Sequence, residues 1–144
     1  MTVRLLLKHK GNFVPVIRPD LTLKDVLDQL RIDDAGALVV TGDDCKILGI
    51  ITERDIARAV QRFGRDAVDR PLADIMTRNV ISVDISEPIT TVLGLMDRHQ
   101  IHYVPVTENG ALTGIINMLD LVRYRLAELE LEANALKTYV GGSA

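Results

Sequence analysis

The chain repeats itself. Gly49-Ile50-Ile51-Thr52-Glu53-Arg54-Asp55 and Gly114-Ile115-Ile116-Asn117-Met118-Leu119-Asp120 both read G-I-I-x-x-x-D, 65 positions apart. Upstream, Ala37-Leu38-Val39-Val40-Thr41 aligns with Tyr103-Val104-Pro105-Val106-Thr107, and Asn12-Phe13-Val14-Pro15-Val16 aligns with Asn79-Val80-Ile81-Ser82-Val83. The three blocks keep one order and an offset of 65 to 67. The later slip in offset falls at the turns Gly42–Asp44 and Glu108–Gly110, where changes of length are tolerated. A repeated unit of this size is one supersecondary motif that cannot bury its apolar face alone. At 144 residues, a length that by itself predicts one domain, the chain therefore reads as two half-domains sharing a core.

Each copy predicts the order β-α-β-β-α. A short strand comes first, Phe13–Ile17 or Val80–Val83. A helix start follows. Thr22 can cap it in copy one, with Asp25 at the third helical position and Val26, Leu27 and Leu30 on one face. Ser86 can cap it in copy two, with Pro88 in the first turn and Ile89, Val92, Leu93 and Met96 on the face. Two apolar runs around a polar turn then read as a hairpin, Ala37–Val40 with Ile47–Ile51 and Tyr103–Val106 with Leu112–Ile116. A second helix begins near Glu53 and ends near Phe63; its counterpart begins near Met118. Residues 64–71 are polar and read as a linker, and Pro71–Met76 as a short helix into copy two. The fold class is α/β (α+β), divided as 1–70, 71–125 and a helical extension over 126–144.

Composition narrows the function. Hydrophobic residues make up 47% and charged residues 26%, which is globular rather than disordered. The net charge of −3 and an aromatic content of 3% without Trp argue against nucleic acid as a partner. Cys45 is the one cysteine, so no internal disulfide or cysteine-based zinc site can form, and its acidic neighbours Asp43 and Asp44 disfavour the thiolate. No apolar run approaches the ~18 residues of a membrane span, and Met1–Lys10 lacks the pattern of a secretory signal; the expected location is cytoplasmic.

The repeated motif has chemical content. An Asp at a helix start just past a strand end can accept hydrogen bonds from two ribose hydroxyls, and Asp55 and Asp120 stand there. Thr52 offers a hydroxyl where exposed N–H groups and the helix dipole favour phosphate, and Arg54 can fork onto phosphate oxygens. The plain alternative is that each Asp only stabilises its helix, by roughly 0.3–1 kcal/mol. His102 can meet a phosphate as imidazolium or donate as a neutral ring. His99 lies three residues before it, yet two histidines without a third ligand are a weak metal signal, so no metal is expected and His99 reads as a surface or capping residue.

The two G-I-I-x-x-x-D motifs, the Val104-Pro105-Val106 strand and the Ile75-Met76-Thr77 element resemble a cystathionine β-synthase (CBS) domain pair, or Bateman module, of the small stand-alone bacterial type. The resemblance covers residues 5–125. It implies composite clefts in which the motif of one copy faces the first and middle strands of the other. Carried over by position, cleft one would use Thr52, Arg54 and Asp55 with Thr77, Asn79, Val80, Ile81, Ile101, His102 and Tyr103. Cleft two would use Asn117 and Asp120 with Lys10, Gly11, Asn12, Phe13, Val14, Ala35, Gly36 and Ala37. Copy two departs from the family pattern: Asn117 replaces a Ser or Thr, and Met118 and Leu119 add bulk without charge. Cleft two is thus expected to prefer another nucleotide, to bind weakly or to stay empty. The implied ligand is an adenine nucleotide, AMP, ADP, ATP or NAD(H). S-adenosylmethionine is disfavoured because Arg54 and His102 suit phosphate better than a sulfonium.

Leu119, Val122, Leu126, Leu129, Ala133, Leu136 and Val140 alternate in steps of 3 and 4, a heptad seam that Gly141-Gly142 should end. The seam predicts pairing with a second copy, a homodimer. No nucleophile–base pair, metal set or Gly-rich phosphate loop is visible, so an enzyme is not expected. Two readings remain: a regulatory module that binds a nucleotide and signals to an unknown regulated protein, or an interaction scaffold with vestigial clefts.

Overall fold

The order of helices and strands follows from where the chain is capped and where it is apolar. A computed structural model describes residues 1–142. It contains α1 (Val3–Lys10), β1 (Val16–Ile17), α2 (Leu23–Asp33), β2 (Ala37–Thr41), β3 (Ile47–Thr52), α3 (Glu53–Phe63), β4 (Val83–Asp84), α4 (Ile89–His99), β5 (Tyr103–Glu108), β6 (Ala111–Asn117) and α5 (Met118–Gly142). There are two three-stranded sheets, ordered β1-β2-β3 and β4-β5-β6, the first pair parallel and the second antiparallel in each. The sequence repeat is therefore a structural repeat, and the α/β class holds.

The two halves exchange core. Val3, Leu6 and Leu7 of α1, at the very start of the chain, pack with Val83, Val92, Val104 and Ile116 of the second half. Leu72 and Met76, which lead into the second copy, pack with Leu23, Leu38 and Ile51 of the first. An eight-residue helix cannot hold itself in water. Three buried aliphatic side chains, at roughly 1.5–3 kcal/mol each, dock it. Between the sheets lies a smaller cluster of Val39, Ile50 and Ile115, with Val14, Val80 and Tyr103 against it.

Several expectations change in detail. Helix α1 was not anticipated; Thr2 caps it and Val3, Leu6 and Leu7 carry its buried face. Thr22 does cap α2, and the Asp25 carboxylate accepts the Thr22 N–H at 2.9 Å. That hydrogen bond, with the Thr22 hydroxyl, holds the Asp25 carboxyl below its ordinary value. Ser86 does not cap α4: its N–H and hydroxyl both turn back to Asp84, and Pro88 stands at the cap. The first strands are shorter than expected, because only Val16–Ile17 and Val83–Asp84 find partners. The polar linker folds as a 3-10 turn, Gly64–Asp69, with Ala67 buried. Helix α5 runs on through Gly141 and Gly142 to the limit of the described residues; residues 143–144 of the expected extension lie outside them.

Candidate functional site

At the junction of the halves a cavity of about 440 Å³ opens over the start of α3. All ten residues expected in cleft one line it: Thr52, Arg54, Asp55, Thr77, Asn79, Val80, Ile81, Ile101, His102 and Tyr103. They come from three places. Strand β3 delivers Thr52 to the start of α3, the segment after Met76 crosses its mouth, and the turn between α4 and β5 closes the far side. The crossing is a two-bond bridge: Thr77 N–H donates to Ile50 O at 2.8 Å, and Ile50 N–H donates to Thr77 O at 2.9 Å. Gly49 permits it, since a Cβ there would lie 2.7 Å from Met76 Sδ and 2.9 Å from Thr77 O.

Asp55 sits at the floor, only 8% exposed. Its Oδ2 accepts the Thr52 N–H at 2.9 Å and the Thr52 hydroxyl at 3.2 Å, and its Oδ1 accepts the Thr77 hydroxyl at 2.9 Å. A carboxylate has about four acceptor places. Three are taken by protein, so one remains on Oδ1, not the two that a pair of ribose hydroxyls would need. Asp55 thus fixes the start of α3, as the helix-cap reading holds, and its Oδ1 keeps one acceptor place beside the cavity.

The walls carry donors that nothing in the described chain uses. Arg58, His99 and the His102 side chain make no ion pair or hydrogen bond among the described residues, while Arg54 donates to Gln100 O at 3.1 Å. Against them stand Glu53 and Asp55. Burial, aided by Glu53, pushes the Tyr103 phenol upward, so it remains a protonated donor. Its hydroxyl lies over Gly36, where a Cβ would collide with it. Ile50, Glu53, Arg58, His99 and Gln100 were missed in the sequence. Arg58 stands one helical turn beyond Arg54, a spacing that could have found it. His99 is exposed, as a surface residue is expected to be, and ends α4; Gln100, at a φ of 54°, turns the chain so that His99 and His102 border one cavity. Among the described residues no three His, Cys, Asp or Glu side chains gather as a metal site.

Cleft two is not assembled in the same way. Asn117 and Asp120 repeat the cap: Asp120 Oδ2 accepts the Asn117 N–H at 2.9 Å, and Asn117 Oδ1 accepts the Asp120 N–H at 2.8 Å. Lys10 then reaches Asp120 Oδ2 and Ile115 O, both at 2.5 Å. Gly11, at a φ of 96°, ends α1 and carries the chain away. Consequently Asn12 and Val14 line a separate cavity of about 340 Å³ with Cys45 and Leu112, in which Asp120 has no part. Phe13 is 67% exposed. Ala35 closes α2 by donating its N–H to Leu30 O, Gly36 lies beneath Tyr103, and Ala37 is buried opposite Thr52.

The profile of the CBS domain matches residues 12–62 and 72–127. A CBS-domain-containing protein of Agrobacterium tumefaciens superposes with a TM-score of 0.83 at 34% identity, covering 87% of this chain and 99% of that one. A CBS domain protein of Pyrobaculum aerophilum, solved in complex with AMP, gives 0.78 at 29%, covering 92% and 99%. A third CBS domain pair, solved with 5′-methylthioadenosine and S-adenosyl-L-methionine, gives 0.79 at 25%, covering 89% and 98%. Among curated relatives, an uncharacterised 17.7 kDa protein of Acidianus ambivalens is 33% identical over 76% of this chain, and arabinose 5-phosphate isomerase of Yersinia pestis is 31% identical over 80%. The chain spans 66% of the length of the first and 35% of the second.

Proposed function

The chain belongs to the CBS-domain family, and on that premise we propose that it is a non-catalytic sensing module that binds an adenine nucleotide in the cavity over α3. One observation carries the reading: the cavity joins a buried carboxylate with one free acceptor place to a rim of uncommitted cationic and imidazole donors. The carboxylate suits a ribose hydroxyl. Arg54 and Arg58 on α3, with His99 and His102 across the same cavity, suit phosphate. Val80, Ile81 and Ile101 give the apolar wall a base requires. AMP in the Pyrobaculum relative agrees with this ligand class. Because phosphate is the group the rim fits, AMP, ADP, ATP and NAD(H) rank ahead of S-adenosylmethionine.

Calorimetric titration with AMP, ATP, NADH and S-adenosylmethionine tests the reading. The expected result is nucleotide binding that Asp55→Ala weakens at least about tenfold, or 1.4 kcal/mol. Binding unchanged by that substitution, or no heat from any ligand, overturns it.

A second reading has its own observation. The heptad seam of α5 is turned to solvent: Leu126, Leu129, Leu136 and Val140 are all exposed, while Leu121 and Tyr124 on the same helix pack inward. We infer that this face pairs with a second copy, so that binding and dimerisation are two parts of one regulatory device acting on a partner protein in the cytoplasm. Coupling requires that the nucleotide bind two arrangements of the pair unequally.

A further inference from the structure

The chain has three histidines, and two of them stand at one place. His99 ends α4, and His102 follows the left-handed turn at Gln100. Both are exposed and both border the cavity over α3. Neither imidazole makes an ion pair or hydrogen bond among the described residues. The charged and titratable groups that share the cavity with them come from two elements. Helix α3 supplies Glu53, Arg54, Asp55 and Arg58, and β5 supplies the Tyr103 phenol. The segment after Met76 lines the cavity with uncharged side chains, and α5 meets the turn through Met118, whose N–H bonds His102 O. Asp97 and Arg98 on α4, and Arg78, lie outside the lining. Arg54 is held by Gln100 O, and the Asp55 carboxylate is largely taken by Thr52 and Thr77. The groups left without a partner are therefore Arg58, the two imidazoles and, against them, Glu53.

We propose that His99 and His102 take up protons when a phosphate enters the cavity, so that nucleotide binding is coupled to pH. This rests on the reading of the cavity given above and adds its regulation. Imidazole is the side chain whose charge ordinarily changes in the physiological range. A phosphate monoester is close to a dianion at neutral pH. Set between the two rings, it favours the imidazolium form of each, because a nearby opposite charge stabilises the charged state. Linkage gives the sign: a ligand that binds with proton uptake binds less tightly as pH rises. Arg58 keeps its charge throughout, so phosphate is still held at alkaline pH, but less firmly. A nucleoside without phosphate brings no such charge. The preference for nucleotide over nucleoside is thus greatest near neutral pH and shrinks above it.

The test follows the three imidazole ring signals of the 144-residue chain by NMR as pH is changed, with and without AMP. His99→Gln and His102→Gln identify the signals. His9, on α1 and outside the cavity, is the internal control. Saturating AMP should raise the titration midpoints of His99 and His102 by about one pH unit each and leave His9 in place. Adenosine, which lacks the phosphate, should move none of the three. In calorimetry, the affinity for AMP should fall at least about fivefold between about pH 7 and about pH 8.5. The inference is overturned if either midpoint stays in place in the AMP complex, if His9 moves as far, or if adenosine gives the same rise. Failure of the cavity reading itself shows separately: AMP then does not bind, or binds in a way that Asp55→Ala does not change.

Discussion

Gly49 and Gly114 open their motifs because another segment of chain must pass there. A Cβ on Gly49 would press on Met76 and on the Thr77 carbonyl at 2.9 Å; one on Gly114 would meet Leu7 Cδ1 at 2.7 Å. Backbone cannot yield as the tip of a leucine can. Gly49→Ala should therefore destabilise the protein by about 1–3 kcal/mol and by more than Gly114→Ala, as read from urea unfolding. Equal or reversed costs would contradict the crossing as described. The identity of the motif residues was legible in the sequence, and so was the placing of Asp55 and Asp120 at helix starts. The resemblance also grouped Thr77 with Asp55 and Lys10 with Asp120, but the hydrogen bonds between them were not legible. That Thr77 and Lys10 are their partners depends on which segments cross, and a crossing between residues more than 20 positions apart leaves no local pattern.

Element by element, the long amphipathic stretches were readable and the short or shared ones were not. Helix α3 runs Glu53–Phe63, where the sequence placed it. Helix α1 has helical spacing at Val3, Leu6 and Leu7, but a stretch of eight residues is too short to assert itself without the distant core it enters. Ser86 has the chemistry of a cap, yet Asp84 offers it a nearer partner. Helix α5 is the element that most exceeds its own half: 25 residues span about 37 Å, and only its first turns meet the core. Truncation after Tyr124 keeps Leu121 and Tyr124 and removes most of the exposed seam. Size-exclusion chromatography with light scattering should then report a dimer for the full chain and a monomer for the truncated one. An undiminished dimer would contradict the role given to this helix.

For the molecule as a whole, the repeat dictated the architecture, and the exchange of core between its halves dictates where a ligand can sit. Because Leu72 and Met76 lock into the first half while α1 locks into the second, each motif is crossed by chain from the opposite side. The crossing at Thr77 leaves an open cavity, and the crossing at Lys10 brings an ammonium onto Asp120. Near symmetry in sequence thus becomes asymmetry in chemistry, which the two motifs alone could not disclose. Among the described residues no helix is long and apolar enough to cross a membrane. Binding of one adenine nucleotide over α3 is checked by titrating the isotope-labelled 144-residue chain with AMP and following backbone amide shifts by NMR. Shifts gathered at residues 50–58, 77–81 and 99–103 are predicted. Shifts centred on Asn117–Asp120 and Lys10, or none at saturating AMP, would contradict it.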